Sequence, residues 1–374
     1  MKKAIVSVTN DLYTDQRVNR TCTLLYDLGF EVVLVGREKR TSACLDARVY
    51  KTIRFKLLFE KGFLFYACFN LRLFFYLLFH KSDLLVSNDL DTLLPNFLIS
   101  RLKGIPLVYD SHEYFTGVPE IQQRPFVKKV WTSIEQMIFP KLKHIITVND
   151  SIARLYKKEY GKELLVIRNI PARGITDKIK SRTELGLPED KKIVLLQGAG
   201  INVDRGAEEA VMAMLPQYGL QDVVLYIIGD GDVINTLKKM VLENALRDRV
   251  IFMPRKLYDE LINFTANADI GLTLDKDTNI NYRYSLPNKI FDYIHAQIPV
   301  LASPLVEVKN IVEKYQIGVL TDNFEPQHIA QKISYMLNDK KNIEFWKKNL
   351  KIASRELTWE NEQKELINVF KQYL

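Results

Sequence analysis

Residues 3–36 read KAIVSVTNDLYTDQRVNRTCTLLYDLGFEVVLVG, and their pattern indicates the class of fold. Two short apolar runs, KAIVSVTN and FEVVLVG, flank a segment whose apolar residues have helical spacing. Further apolar runs of strand length follow at DLLVSN (83–88), IPLVYD (105–110), HIITVN (144–149) and LLVIRN (164–169). Strands that alternate with helices form parallel sheets through right-handed crossovers, so the first half predicts a doubly wound α/β domain.

The same pattern begins again in the second half of the chain. After a loop rich in charge, Pro and Gly at 168–191, the next apolar run is KIVLLQGAG (192–200), and further strand-helix pairs follow it. A chain of 374 residues is long enough for two domains. We therefore expect two doubly wound, Rossmann-like domains, 1–170 and 171–354, with a central cleft.

The charge is uneven along the chain. Up to residue 170 there are 26 Lys and Arg against 17 Asp and Glu, and beyond it 27 against 28. This asymmetry indicates that the first half faces nucleic acid, a membrane surface or a phosphorylated substrate, or that it has a well-solvated basic face. Three cysteines, Cys22, Cys44 and Cys68, have no metal-ligand spacing, which favours a reducing cytoplasm without disulfides or a zinc site.

One apolar segment, GFLFYACFNLRLFFYLLFH at 62–80, does not fit a plain soluble domain. It approaches the length that spans a bilayer, but Asn70 and Arg72 in its middle disfavour a transmembrane helix. It is either a buried crossover helix or a monotopic helix whose aromatic face enters the lipid interface. The second alternative is supported by nearby basic residues, namely Arg48, Lys51, Arg54, Lys56, Lys61 and Lys81.

Loops after the strands of an α/β sheet hold its ligands, and two such loops in the first half carry polar groups. The first contains Asp15 and Arg17, just before a helix, where ordinary capping would also explain the aspartate. The second contains His112 and Glu113 directly after a strand. A histidine beside a carboxylate at a strand end can bind hydroxyl groups or move protons, although a lone histidine is often structural.

Two loops in the second half have the residues of a phosphate site. In LLQGAGINVDRGAEEAV, Gly198 ends a strand and Arg205 precedes a helix, so backbone amides and a full charge can meet an anion. In SLPNKIFDYIHAQIPVLAS, Asn288 and Lys289 stand at a helix start and Asp292 follows on the same face. Asn288 and Lys289 could bind a diphosphate, and Asp292 could accept hydrogen bonds from ribose hydroxyls. The alternative is that Lys289 and Asp292 form an ordinary ion pair on the surface. Neither loop matches a dinucleotide or Walker motif.

These motifs resemble those of the retaining glycosyltransferases of family 4, also called group 1, which have the GT-B fold. The resemblance covers essentially the whole chain, and it implies a C-terminal helix, about 355–374, that crosses back to the N-terminal domain. The stretches that carry it are SLPNKIFDYIHAQIPVLAS (285–303), LLQGAGINVDRGAEEAV (195–211), YIIGDGD (226–232), VSNDLDTLLP (86–95) with VYDSHEYF (108–115), and SRELTWENEQKELINVF (354–370).

The resemblance implies a hexosyltransferase, class EC 2.4, that uses a UDP- or GDP-linked sugar and retains its configuration. The C-terminal domain would hold the donor, and the N-terminal domain would hold a glycan or lipid-linked acceptor. Arg205 and Lys289 would neutralise the diphosphate, Asp292 would hold the ribose, and the loop at Gly229 would line the nucleotide pocket. His112 corresponds to the family histidine near the donor sugar. No metal and no cofactor are expected, because cationic side chains stabilise the leaving phosphate.

The chain departs from the family at two positions. Of the family's paired glutamates, the second is Asp292 here, and Tyr284 stands eight residues earlier. The common arginine after the phosphate-loop glycine is Ala199, which leaves more of the charge to Arg205 or to Arg255. The donor sugar therefore does not follow from the motif.

Other classes of function agree less well with the sequence. Asp-x-Asp occurs at Asp89–Asp91 and Asp275–Asp277, as in metal-dependent transferases, but about one such motif is expected by chance. A sugar-nucleotide 2-epimerase of the same fold has no need of a membrane-facing helix, and a noncatalytic transferase-like subunit is a further alternative. Nucleic-acid binding is not expected, because its motifs are absent. We expect a cytoplasmic enzyme of cell-surface polysaccharide or glycolipid assembly, peripheral on the inner face of the plasma membrane through 62–80.

Overall fold

The computed structural model describes residues 1–13, 15–42, 44–172 and 179–374, and the chain forms two compact units. The first unit comprises Met1–Asn169 and Glu362–Leu374, and the second comprises Ile170–Asn361. Residues 173–178 of the predicted interdomain loop lie outside the described residues.

The first unit is built on a parallel sheet of seven strands. These are β1 (Lys3–Asp11), β2 (Glu31–Glu38), β3 (Lys51–Lys56), β4 (Leu84–Asn88), β5 (Leu107–Ser111), β6 (His144–Thr147) and β7 (Leu165–Val166). The helices are α1 (Gln16–Asp27), α2 (Gly62–Phe79), α3 (Leu90–Lys103), α4 (Pro119–Gln122), α5 (Pro125–Ile138) and α6 (Asp150–Tyr160). The strand order is β3-β2-β1-β4-β5-β6-β7, so the winding direction reverses between β1 and β4.

Burial follows the apolar runs of the sequence. Every residue of β4 and β5 is buried, as expected for central strands with helices on both faces. The edge strand β3 was not predicted from the sequence, and its pattern KTIRFK is mostly polar. Within the described parts of the chain it pairs with β2 alone, so it needs little apolar surface.

Helix α2 is the apolar segment noted in the sequence, and it buries one row of side chains. Phe65, Phe69, Leu73 and Leu77 recur every four residues and are buried. The two polar residues bond within the first unit: Asn70 donates to the backbone oxygen of Asp91, and Arg72 donates to that of Lys56. Within the described part of the chain, α2 is the one helix that is long and apolar enough to cross a membrane, by length and composition.

The opposite side of α2 is exposed and apolar. Phe63 and Phe79 are exposed over 71% and 77% of their surface, and Leu64, Leu71 and Phe75 are also exposed. The helix is therefore a crossover helix with only one face in the core. We call the five exposed residues the apolar face of α2.

The second unit repeats the architecture with six parallel strands. These are β8 (Lys192–Gly198), β9 (Val223–Gly229), β10 (Val250–Met253), β11 (Ile270–Thr273), β12 (Val300–Ala302) and β13 (Gly318–Leu320), in the order β10-β9-β8-β11-β12-β13. The helices are α7 (Arg182–Leu185), α8 (Ala207–Met212), α9 (Ile234–Glu243), α10 (Tyr258–Ala266), α11 (Ile280–Arg283), α12 (Lys289–His295), α13 (Val306–Tyr315), α14 (Pro326–Asn338) and α15 (Lys340–Glu356), and α16 (Trp359–Lys371) begins in this unit and continues into the first. Here the winding direction reverses between β8 and β11.

The end of the chain returns to the first unit. The last helix, α16, begins at Trp359 rather than near residue 355, because α15 continues to Glu356. From Glu362 onward the residues belong to the first unit, where Glu362 accepts hydrogen bonds from the backbone and guanidinium of Arg168.

Candidate functional site

Two glycine loops of the second unit approach each other closely at the carboxyl edge of its sheet. Gly198 ends β8 and is paired with Gly229 at the end of β9. A Cβ on Gly229 would lie 1.8 Å from the carbonyl oxygen of Gly198, and φ of Gly229 is +147°. A Cβ on Gly231 would lie 2.0 Å from the carbonyl oxygen of Ile201. Only glycine allows this approach of two backbones at the carboxyl edge of the sheet.

Arg205 and Lys289 share one buried carboxylate. Arg205 donates to Oδ1 of Asp275 at 3.0 Å, and Nζ of Lys289 lies 3.3 Å from Oδ2 of the same side chain. The carboxylate is fully buried, and Arg205 also stacks over the ring of Tyr282 at 4.8 Å. Burial lowers the pKa of Lys289 and the neighbouring Arg205 adds to this, while Asp275 opposes it. Two basic side chains thus face a single carboxylate.

This pair stands where ligands of doubly wound sheets bind. Asp275 follows β11 and Arg205 belongs to the loop after β8, and these are the two strands between which the winding direction reverses. The crevice outside the strand ends at such a switch point is the general ligand position of open α/β sheets. The predicted residues Arg205 and Lys289 are thus brought together by Asp275, and Gly198 ends β8, the strand that precedes the loop of Arg205.

Asp292 is fixed beside the same strand end. The side-chain amide of Gln197 donates to its carboxylate at 2.9 Å, and Thr265 donates to the amide oxygen of Gln197 at 2.7 Å. Asn288 is the residue just before α12, which begins at Lys289. Sequence reasoning missed Gln197, whose only signal is a polar residue inside the apolar run LLQG.

Arg255 lies apart from this pair. It is exposed in the loop after β10, the edge strand, and β9 separates β10 from β8. Its role at the donor stays a prediction, and Arg205 is the arginine that contacts Asp275.

In the first unit, Asp15 and Arg17 make structural contacts. Asp15 caps α1 by accepting from the backbone of Val18 at 3.1 Å. Arg17 is buried and donates to both carboxylate oxygens of Asp110, at 3.0 and 2.7 Å, and to the carbonyl oxygen of Ile167. Burial alone would raise the pKa of Asp110, but Arg17 and His112 hold it well below its usual range. A role of Asp15 or Arg17 toward an acceptor stays a prediction.

His112 lies between acidic side chains. Its Nδ1 is 3.4 Å from Oδ2 of Asp89, and its Nε2 is 3.5 Å from Oδ2 of Asp110 and 3.2 Å from the amide oxygen of Asn88. Burial alone would lower the pKa of His112, but Asp89 and Asp110 raise it to about 9. The ring is therefore an imidazolium at neutral pH, suited to donate hydrogen bonds rather than to accept a proton. Glu113, next to it, accepts from Ser111 through its backbone oxygen.

In each of the two Asp-x-Asp motifs, the two aspartates contact different partners. Asp91 is buried and accepts from Thr9, and burial together with Asp89 raises its pKa to about 8. Asp275 is held by the two cations, whereas the exposed Asp277 pairs with Arg283. Among the described residues, no group of three or more His, Cys, Asp and Glu side chains is arranged to hold a metal ion.

Two family models match the chain. The one described as Glycosyltransferase Family 4 matches residues 16–170, and the one described as Glycosyl transferases group 1 matches residues 177–353. No curated protein matches the sequence significantly.

Many solved structures have the same fold at low sequence identity. Sucrose-phosphate synthase from Thermosynechococcus elongatus has a TM-score of 0.79 and 16% identity, with 100% of this chain and 99% of that chain covered. WaaG, a glycosyltransferase involved in lipopolysaccharide biosynthesis, has a TM-score of 0.75 and 14% identity, with 98% and 99% covered. Anabaena HepE in complex with UDP and glucose has a TM-score of 0.74 and 16% identity, with 99% and 100% covered. These likenesses confirm the predicted GT-B fold.

Proposed function

We propose that this chain, which belongs to the group 1 glycosyltransferases of family 4, transfers a sugar from a UDP- or GDP-linked donor to an acceptor hydroxyl with retention of configuration. The observation that carries the proposal is the pairing of Arg205 and Lys289 with Asp275 at the switch point of the second sheet. Anabaena HepE, which has the same fold, was solved with UDP-glucose, and this favours a UDP-linked donor.

The donor diphosphate would meet Arg205 and Lys289. Both cations are already oriented by Asp275, so little side-chain freedom is lost when an anion binds. Hydrogen bonds from charged donors to phosphate oxygens are about twice as strong as neutral ones. Asp292, fixed by Gln197, would accept hydrogen bonds from the ribose hydroxyls. The loop at Gly229, which lies against Gly198, would line the nucleotide pocket.

The same two cations would assist the chemical step. As the bond between the anomeric carbon and the diphosphate oxygen breaks, negative charge develops on the leaving group, and preorganised cations stabilise it. The acceptor oxygen bonds to the anomeric carbon from the same face, and its proton passes to the leaving diphosphate. Because Arg205 and Lys289 supply positive charge, we propose that the reaction is metal-independent. The family's assignment of His112 to the reacting centre is part of this proposal.

The acceptor is proposed to be a glycan or a lipid-linked saccharide in cell-surface polysaccharide or glycolipid assembly. WaaG, which has the same fold, is involved in lipopolysaccharide biosynthesis. An enzyme that uses a cytoplasmic nucleotide sugar and a lipid-linked acceptor would work at the inner face of the plasma membrane. We therefore propose a cytoplasmic, peripherally bound protein.

Contact with the membrane would be made by the apolar face of α2. The face runs along an 18-residue helix, and exposed basic residues stand at both of its ends, Lys61 just before it and Lys81 just after it. The amine of Lys103 donates to the backbone oxygen of Leu77, near the last turn of the helix. An aromatic face flanked by basic groups matches the interface of an anionic leaflet, where each basic residue adds about 1 kcal/mol.

The test of the donor site is titration calorimetry with UDP, GDP and a panel of their sugars. Lys289→Ala should weaken binding of the preferred donor about tenfold to hundredfold, since a hydrogen bond to a charged group contributes about 1.5–3 kcal/mol. Lys309→Ala removes an exposed lysine of α13 in the same unit and serves as the matched control, with unchanged affinity expected. If the wild-type protein binds none of the nucleotides, the proposal is wrong.

Product analysis separates the enzymatic alternatives. A transferase leaves the donor intact until an acceptor is added, whereas a 2-epimerase converts a UDP-sugar on its own to the 2-epimer. A noncatalytic subunit would bind a donor but release no nucleotide diphosphate with any acceptor or with water. Release of UDP or GDP coupled to a new glycosidic bond of the donor's anomeric configuration is the expected result.

Membrane contact is tested by sedimentation with vesicles. The protein should sediment with phosphatidylglycerol vesicles at low salt, less so at high salt, and weakly with phosphatidylcholine alone. Replacing Phe63, Phe75 and Phe79 together by Ser should weaken binding by tenfold or more. Phe345→Ser, at a similarly exposed phenylalanine of α15, is the control and should change nothing. A protein that stays in the supernatant, or that buries this face by forming dimers, would contradict the proposal.

A further inference from the structure

Asp89 has a backbone conformation that aspartate rarely adopts. It precedes α3 with φ +58° and ψ +167°, a region used almost only by glycine. An aspartate at this position would ordinarily cap the helix, but the Asp89 side chain makes no capping hydrogen bond to α3. Neither the backbone conformation nor helix capping therefore explains why an aspartate occupies this position.

The side chain of Asp89 instead contacts both the backbone and the ring of His112. Its Oδ1 accepts from the backbone nitrogen of His112 at 2.8 Å, and its Oδ2 faces Nδ1 of the ring at 3.4 Å. Its own backbone nitrogen donates to the carbonyl oxygen of Asp110 at 2.8 Å. One residue thus ties the end of β4 to the end of β5 and faces the ring with a carboxylate.

The other charged groups around the ring come from several elements. Asp110, at the end of β5, faces Nε2 and is neutralised by Arg17 of α1. Arg17 already pairs with Asp110, whereas Asp89 faces the ring directly: burial raises the pKa of Asp89, and the neighbouring His112 opposes this. The remaining acidic groups with an electrostatic influence on this cluster are Asp15, Asp91 and Glu113.

We propose that Asp89 is a positioning residue, held in a strained conformation so that its carboxylate sets the direction and the charge of the His112 ring. The proposal rests on the proposed function only for the role of His112 in turnover. The geometry itself concerns the free protein: with Asp89 at Nδ1 and Asn88 and Asp110 at Nε2, the ring can neither flip nor lose a proton without losing a contact.

The experiment measures the titration of His112 directly, by NMR of ¹³C-labelled histidine, with the signal assigned from its loss in His112→Gln. Asp89→Asn keeps an oxygen for the backbone of His112 but removes the charge, and we expect the titration midpoint to fall by about one pH unit or more. Turnover should fall tenfold or more while donor affinity is unchanged. Asp150→Asn, the same substitution at the start of α6, is the control and should alter neither.

Asp89→Gly gives a second, independent test. Glycine relieves the backbone, so the variant should fold with an unchanged or higher melting temperature and yet lose both the raised midpoint and the turnover. A His112 midpoint unchanged in both Asp89 variants would overturn the proposal. If no donor supports turnover, the proposed function fails, while the NMR titration still decides whether Asp89 holds the ring.

Discussion

Because of Glu135 on α5, we expect the stability of the folded protein to fall as pH rises. Its side chain is almost completely buried, and the hydroxyl of Tyr160 donates to Oε1 at 2.7 Å. Burial raises the pKa of Glu135 to about 7 from an ordinary value of 4.5, and the nearby Glu159 adds to this. No cation is among the groups that shift it, so the buried carboxylate is favoured in its neutral form.

The sign and size of the effect follow from the two pKa values. Between pH 4.5 and 7 the unfolded chain releases this proton while the native protein keeps it, so the native state loses stability as pH rises through this window. Each unit of difference between two pKa values corresponds to about 1.4 kcal/mol, which gives a full effect of about 3 kcal/mol. Between pH 5 and pH 8 the loss is about 2.5 kcal/mol.

Glu135→Gln removes the titration but keeps an oxygen that can accept from Tyr160. In urea unfolding followed by tryptophan fluorescence, to which Trp131 of the same helix contributes, the variant should gain about 2.5 kcal/mol more over wild type at pH 8 than at pH 5. Glu163→Gln, an exposed glutamate of the same unit, is the matched control and should show no such difference. An equal effect of Glu135→Gln at both pH values would show that the native carboxyl titrates like an exposed one, and the reasoning would be wrong.

Two further substitutions test other parts of the molecule. Asp110→Asn should destabilise the first unit by about 3–5 kcal/mol in denaturant unfolding, because Arg17 would remain buried without its counter-charge, whereas Asp277→Asn, in an exposed pair, should leave the free energy of unfolding unchanged. Gly229→Ala should lower the melting temperature and abolish donor binding in calorimetry, since its Cβ would collide with the carbonyl oxygen of Gly198; a variant with normal binding would show that this close approach is dispensable.

The sequence was sufficient for the fold because the central strands are apolar and alternate with helices. KAIVSVTN and FEVVLVG became β1 and β2, and the second half repeated the pattern. The edge strand β3 was missed because it pairs on one side only, so KTIRFK has no apolar run to reveal it. Pattern reasoning detects burial, and an edge strand has little of it.

The sequence predicted part of the candidate site. The contacts that it did not predict join residues far apart in the chain. Arg205 and Lys289 were recognised from local motifs, but Asp275 appeared only as half of an Asp-x-Asp motif. It lies 70 residues from Arg205 in sequence, and the two meet because β11 pairs with β8. Asp89 was hidden in the same way, since its partner His112 follows a different strand.

Helix α2 shows a third kind of limit. Its residues are apolar nearly all round, so the sequence had no periodicity from which to choose between burial and a lipid interface. Asn70 and Arg72, which argued against a membrane span, bond to the backbone of neighbouring elements. The rest of the outward side stays apolar. Which side of α2 is buried depends on how the helix packs on the sheet, and the local sequence does not specify that packing.

The charged side chains are arranged differently in the two units. In the second unit, two basic side chains, Arg205 and Lys289, face the single carboxylate of Asp275, which matches the diphosphate proposed to bind there. Around His112 in the first unit, imidazolium and Arg17 balance the carboxylates of Asp89 and Asp110, which suits uncharged sugar hydroxyls rather than phosphate. The excess of Lys and Arg up to residue 170 is therefore not used in this cluster. Exposed basic residues such as Lys61 and Lys81 at the ends of α2 account for part of it, and a surface charge of this sign supports the contact with an anionic membrane that we propose.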